Sequence, residues 1–244
     1  MKNTIYWVEA QDGGDPRNAA EYADFIYYLS EPFDSNEIQI LDKLNFRYSD
    51  IEWCEKKSFA WVVEKSWKKK WQKTKQIFIE NGKVTGSRII FDRSSESVYD
   101  SPGRVLFEFT PKGQKFILVN DNFLFFESNG PSPTGDRPFL QKLDLETLQF
   151  EKIWESDPTL FEQVLYVLTP DASAFVTSKQ SPVTPKNYFI NFLVSNSIAS
   201  FPLSDFPHPH PWFLFFLYLS IFNLAKIEKQ DGKCEEGARF LYQK

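Results

Sequence analysis

Two cysteines, two histidines and one methionine are all that the 244-residue chain holds of those types. Cys54 and Cys234 stand far apart. They are too few for a zinc pattern or a disulfide framework and favour a reduced compartment, the cytoplasm first. Positive charge is also short: the net charge is −5, which gives no global attraction to nucleic acid or to an anionic membrane. The N-terminus has neither a long apolar stretch nor a small-residue cleavage site, so no signal peptide is expected. The strongest apolar run, Trp212 to Phe222, is eleven residues, well under the roughly 20 needed to span a bilayer.

What is abundant is aromatic: 17% of residues, with 25 phenylalanines. Such side chains suit half-buried pleated surfaces. Short runs of strand chemistry recur at 4–8, 24–29, 37–41, 59–63, 76–79, 88–91, 104–109, 115–119, 122–126, 163–168, 174–177 and 188–193. Turn residues separate them, among them Asp12–Asp15, Asn81-Gly82, Pro111–Gly113, Asn129-Gly130 and Pro170-Asp171. No amphipathic helix of ten residues is evident before residue 212. The pattern predicts an all-β fold.

Thr110-Pro111 followed by Phe116-Ile117, and Thr169-Pro170 followed by Phe175-Val176, repeat one motif about 60 residues apart, near the upper end of propeller periods. A looser copy starts at Ser49. A blade cannot bury both faces alone, so blades stack around an axis. The expectation is a partial β-propeller of about four blade-equivalents, each of four antiparallel strands, over residues 1–204. A β-sandwich is the rival. Residues 205–211 read as a Pro/His linker. Residues 212–244 read as an aberrant or non-homologous tail, apolar and then polar, with Trp212 to Ala225 able to form a helix.

Four stretches carry a resemblance. They are Tyr6 to Pro16, Phe91 to Gly103, Gly130 to Leu140 with Asp144–Thr147 and Ile153-Trp154, and Thr177–Ser181 with Asn187–Phe189 and Phe201–Pro211. Together, in order and spacing, they resemble the glutamyl endopeptidase branch of the prolyl oligopeptidase family of serine peptidases, over about residues 4–211. That family joins a β-propeller, which caps the active site and limits access to peptides, to an α/β-hydrolase domain that carries the catalytic triad. All four stretches resemble the propeller part. The resemblance implies that this chain starts part-way through the propeller and that Phe206–Pro211 leads toward a hydrolase domain it does not contain. The break at Pro211 is the kind a frameshift or retained intron leaves. A plastid location is open if the source is a plant.

The residues themselves offer no catalytic centre. Gly130-Pro-Ser132-Pro-Thr134-Gly135 is one residue too long for a nucleophile elbow and has prolines beside the serine. His208 and His210 alternate with prolines, which favours an extended linker over a triad base or a metal ligand. Trp67 to Lys75 mixes bases and aromatics, as single-strand nucleic-acid binders do, but reads better as a solvated run. Asp12–Asp15 lacks the carboxylates of a calcium loop. Glu96 and Asp100 could act as an acid–base pair but have no evident pocket. Asp136 and Arg137 could form an ion pair at a blade edge. Cys54 reads as a buried apolar residue at a strand start. No catalytic, cofactor-binding or metal-binding residue is therefore assigned, and no cofactor is expected.

The resulting expectation is a non-catalytic propeller piece of a serine endopeptidase that cleaves after glutamate, with peptide substrates as the parent's partners. A stand-alone propeller that binds a protein or peptide, or a non-functional truncated product, is the alternative. No nucleic-acid partner is expected, and open blade edges invite self-association.

Overall fold

The computed structural model describes residues 3–194 and 197–203. The Pro/His linker and the tail lie outside the described residues. Among those described there is no α-helix, only one short 3-10 turn at Ser35–Glu37 between many strands.

The strands form successive antiparallel meanders. The first sheet holds β1 (Thr4–Ala10), β2 (Asp24–Ser30) and β3 (Gln39–Leu44). The second holds β4 (Arg47–Cys54), β5 (Phe59–Ser66), β6 (Trp71–Glu80) and β7 (Lys83–Ser94). In the third, β8 (Arg104–Val105) and β11 (Val119–Asn120) share one side of β12 (Phe123–Ser128), followed by β13 (Phe139–Asp144) and β14 (Phe150–Glu155). Between β8 and β11 the chain leaves the sheet as a hairpin, β9 (Phe107–Phe109) and β10 (Lys115–Ile117). The fourth holds β15 (Phe161–Val167), β16 (Ala174–Ser181), β17 (Thr184–Val194) and β18 (Ser197–Pro202).

Three separate cores lie between successive sheets, which is blade stacking and not the single core of a sandwich. Ile26, Tyr28, Leu41 and Leu44 of the first sheet pack on Ile51, Ala60, Val62 and Ile77 of the second. Phe59 and Trp61 of the second pack on Leu124, Phe126 and Leu143 of the third. Phe125, Leu140 and Trp154 of the third pack on Phe175 of the fourth. Because side chains alternate between faces, consecutive residues of β5 serve different cores. The fold is thus all-β and a partial propeller, with four blade-equivalents. The first carries three strands among the described residues rather than four.

Charge reinforces the first joint. Arg47 reaches back to Asp24 at 2.6 Å and to Asp12 in the loop after β1. Lys75 joins Asp42 at 2.9 Å and the buried Glu64 at 3.4 Å.

Several expectations need correction. The run 104–109 is not one strand. Leu106 splits it, its N–H bonding to Phe125 O and its carbonyl accepting from Leu118 N, so β8 stays in the sheet and β9 departs. The run 115–119 is split likewise. The run 37–41 begins in the 3-10 turn, and β3 starts at Gln39. Cys54 is fully buried but closes β4 instead of opening a strand. The Thr-Pro copies also occupy different places. Thr169 turns β15 into β16 inside a blade, whereas Thr110 caps the excursion β9–β10.

Candidate functional site

The described surface includes two concavities of unequal size. The larger, about 1370 Å³, lies at the ends of the first two sheets. Tyr6, Tyr28, Trp53, Ile79 and Phe116 line it, among others. Among its lining residues, the Tyr28 hydroxyl lies within hydrogen-bond distance of two acceptors, Gln39 Oε1 at 2.8 Å and Gly82 O at 2.9 Å, for its single O–H.

The smaller, about 540 Å³, lies where the second, third and fourth sheets meet. Loop backbones come unusually close there. Gly103 has φ +89°, and a Cβ on it would stand 2.2 Å from Glu127 O. Gly130 has φ +57°, and a Cβ would stand 1.8 Å from Arg137 O. Only glycine fits either position. Arg93, at the end of β7, organises the rim. Its Nη1 donates to Ser97 O at 2.9 Å and Ser94 O at 3.4 Å, and its Nη2 donates to Ser101 Oγ at 3.2 Å. Its Nε is buried without a hydrogen-bond partner. Burial pushes the guanidinium pKa down, opposed by the charge of Asp100. Arg104, across the pocket, is held by Glu127.

The residues singled out in the sequence are scattered. Ser132 sits in the loop between β12 and β13, where its Oγ donates to Gly135 O at 2.5 Å and contacts Thr134 Oγ1 at 3.1 Å. Its contacts are those of a turn. His208 and His210 lie outside the described residues. Glu96 and Asp100 do not form an acid–base pair. Glu96 faces Lys70 at 3.3 Å, and Asp100 accepts from Ser97 Oγ at 2.5 Å. Arg137 pairs with Glu155 at 2.7 Å and not with Asp136. Asp12 is a partner of Arg47, whose hydrogen bond holds the Asp12 carboxyl below the usual carboxylate range. The basic run 67–75 is only partly solvated: Trp67 is exposed, but Lys75 is enclosed by its two carboxylates. Among the described residues no group of three or more His, Cys, Asp or Glu side chains could hold a metal. No helix there is long and apolar enough to cross a membrane. Arg93 was hidden from composition and spacing; the run Phe91 to Gly103 marked its segment but not its role.

No protein-family model matches the chain. It is 32% identical over 243 residues to "Probable glutamyl endopeptidase, chloroplastic" of Oryza sativa subsp. japonica, covering 93% of this chain and 25% of that protein. The Arabidopsis thaliana protein of the same description is 31% identical over 226 residues, covering 86% of this chain and 23% of that protein. The chain therefore spans about a quarter of the length of the curated relatives it matches. Among solved structures, prolyl oligopeptidase B from Galerina marginata overlaps 82% of this chain and 26% of that chain, with a TM-score of 0.48 and 9% identity. TolB from Acinetobacter baumannii overlaps 80% of this chain and 40% of that chain, with a TM-score of 0.38 and 14% identity. Strand pairing and the three inter-sheet cores, not these loose overlaps, carry the fold. By sequence, the chain is a relative of the glutamyl endopeptidases, matching about a quarter of their length.

Proposed function

We propose that the chain is a non-catalytic propeller portion of a serine endopeptidase, and that it limits substrate access to a separate α/β-hydrolase domain. The observation that carries this reading is the match of most of the chain to a quarter-length segment of glutamyl endopeptidases, together with blade stacking through three inter-sheet cores. A stacked propeller is rigid enough to act as a size filter, because each blade is clamped by its neighbours. Cleavage after glutamate belongs to the same proposal, by analogy with the glutamyl endopeptidases it matches. Peptides reach this chain only as substrates of the parent enzyme.

The test is one of access. The chain joined ahead of the hydrolase domain of a glutamyl endopeptidase is compared with that domain carrying an unrelated segment of equal length. The gate predicts that short glutamate-containing peptides are cleaved by both, while a folded protein substrate is spared only by the first. Equal cleavage of the folded substrate by both contradicts it.

A further inference from the structure

Arg93 makes all its hydrogen bonds to neutral acceptors, Ser94 O, Ser97 O and Ser101 Oγ. No carboxylate stands within ion-pair distance of it among the described residues, although Arg17, Arg47, Arg104 and Arg137 each have one. Asp100 acts on it only from beyond that distance and gives its Oδ2 to Ser97. Arg93 is half-buried, with its Nε buried and unpartnered; partial removal of a guanidinium from water without a counter-ion is costly, and an arriving anion offsets that cost. Arg93 also lines a pocket of about 540 Å³, within the range of small-ligand sites. The charged lining is Arg93, Arg104 and Glu127, and Glu127 is spent on Arg104. One positive charge is left over. Hydroxyls and amides surround it: Ser95, Ser128, Asn129 and Gln163.

We propose that this pocket binds a carboxylate, with Arg93 as its counter-ion and the serine and amide groups of the rim hydrogen-bonding its oxygens. A single spare charge suits a monoanionic carboxylate better than a phosphate dianion. Arg93 Nη1 already serves two carbonyls and its Nε is buried, so Nη2, which gives one N–H to Ser101 Oγ, offers the other to the carboxylate as a charge-assisted hydrogen bond. The carboxylate comes from an acidic peptide side chain or from a free organic acid. This site goes beyond the access role and does not depend on it.

The test is calorimetric titration of the full chain with four probes: butyrate, acetyl-Ala-Glu-Ala-amide, acetyl-Ala-Gln-Ala-amide and inorganic phosphate. Saturable binding of butyrate or the Glu peptide is expected, with the Gln peptide at least about tenfold weaker. A Glu peptide that binds more tightly than butyrate assigns the site to peptides; the reverse order assigns it to free acids. Arg93→Gln is expected to lose binding by at least about tenfold. Because Arg93 also ties down the 94–101 loop, Ser95→Glu is the second variant. Ser95 is exposed, and the new carboxylate occupies the anion position from within, so binding is lost while the melting curve is unchanged. Equal binding of the Gln and Glu peptides, phosphate tighter than both carboxylates, no saturable binding at millimolar concentration, or binding kept in both variants overturns the proposal.

Discussion

The first and second sheets are built from similar residues yet bury them differently. In β5 of the second sheet, Phe59, Ala60, Trp61 and Val62 are all buried, because odd and even positions feed two different cores. In β2 of the first sheet, Ile26 and Tyr28 are buried against the second sheet, while Phe25 and Tyr27 are only half-buried. The outward face carries a ladder of rings instead. Trp7 stacks on Tyr27 at 5.6 Å, Phe25 meets Tyr27 at 6.1 Å, and Tyr22 meets Phe25 at 5.6 Å. Lys43 lies over Phe25 at 5.2 Å, a cation–π contact with one ring of the ladder. In these two sheets the continuous buried run goes with two neighbouring sheets and the alternation with one among the described residues. The last sheet is not the mirror of the first: β16 is buried from Ala174 to Ser178.

The sharpest way to break this contrast is truncation in the middle. Phe126→Ala removes a ring that meets Trp61, Phe91 and Phe150, and should cost about 3–5 kcal/mol in chemical denaturation. Tyr166→Ser, on the exposed margin of the last sheet, should stay within about 0.5 kcal/mol. Equal losses at the two sites contradict the layered account.

The joint between the first two sheets should respond to acid. Asp12 titrates low because Arg47 hydrogen-bonds its carboxylate. A carboxyl held low contributes stability that is fully present above its unfolded value of about 3.9 and is lost as pH falls through the lowered value. Acid denaturation followed by fluorescence should therefore begin at higher pH in Arg47→Met than in the parent chain. Coincident acid transitions show that the triad is idle.

A smaller effect concerns association. The ring ladder of the first sheet is expected to support self-association at high concentration, and Trp7→Lys with Tyr27→Lys should lower the mass seen in light scattering. An unchanged mass places the contact elsewhere. The smallest effect is chemical: burial pushes the Cys54 thiol pKa up, so iodoacetamide at pH 8 should spare Cys54 in the native chain and modify it in denaturant, as read by peptide mass.

The strand content was legible because several strands, β5 and β12 among them, open on unbroken apolar runs. Strands β4, β13, β14 and β18 were not. In β14, Phe150, Glu151 and Lys152 are exposed, and in β13 a glutamine is buried where an apolar residue is expected. These strands are specified by pairing with their neighbours, which composition does not show. Ion partners were hidden for a related reason. Arg47 and Asp12 lie 35 residues apart, and Arg137 pairs with Glu155 of β14 and not with adjacent Asp136, a choice that adjacency in sequence does not reveal. The family motifs marked the Arg93 loop without saying what its charge is for.

The most direct test of the central claim is labelling of the purified chain with a fluorophosphonate probe, followed by intact mass. A serine nucleophile needs a positioned base and an oxyanion site, and Ser132 instead makes turn contacts with Thr134 and Gly135. The account predicts no mass shift and no hydrolysis of glutamate-containing peptides. Stoichiometric labelling at Ser132, or at any other serine, contradicts it.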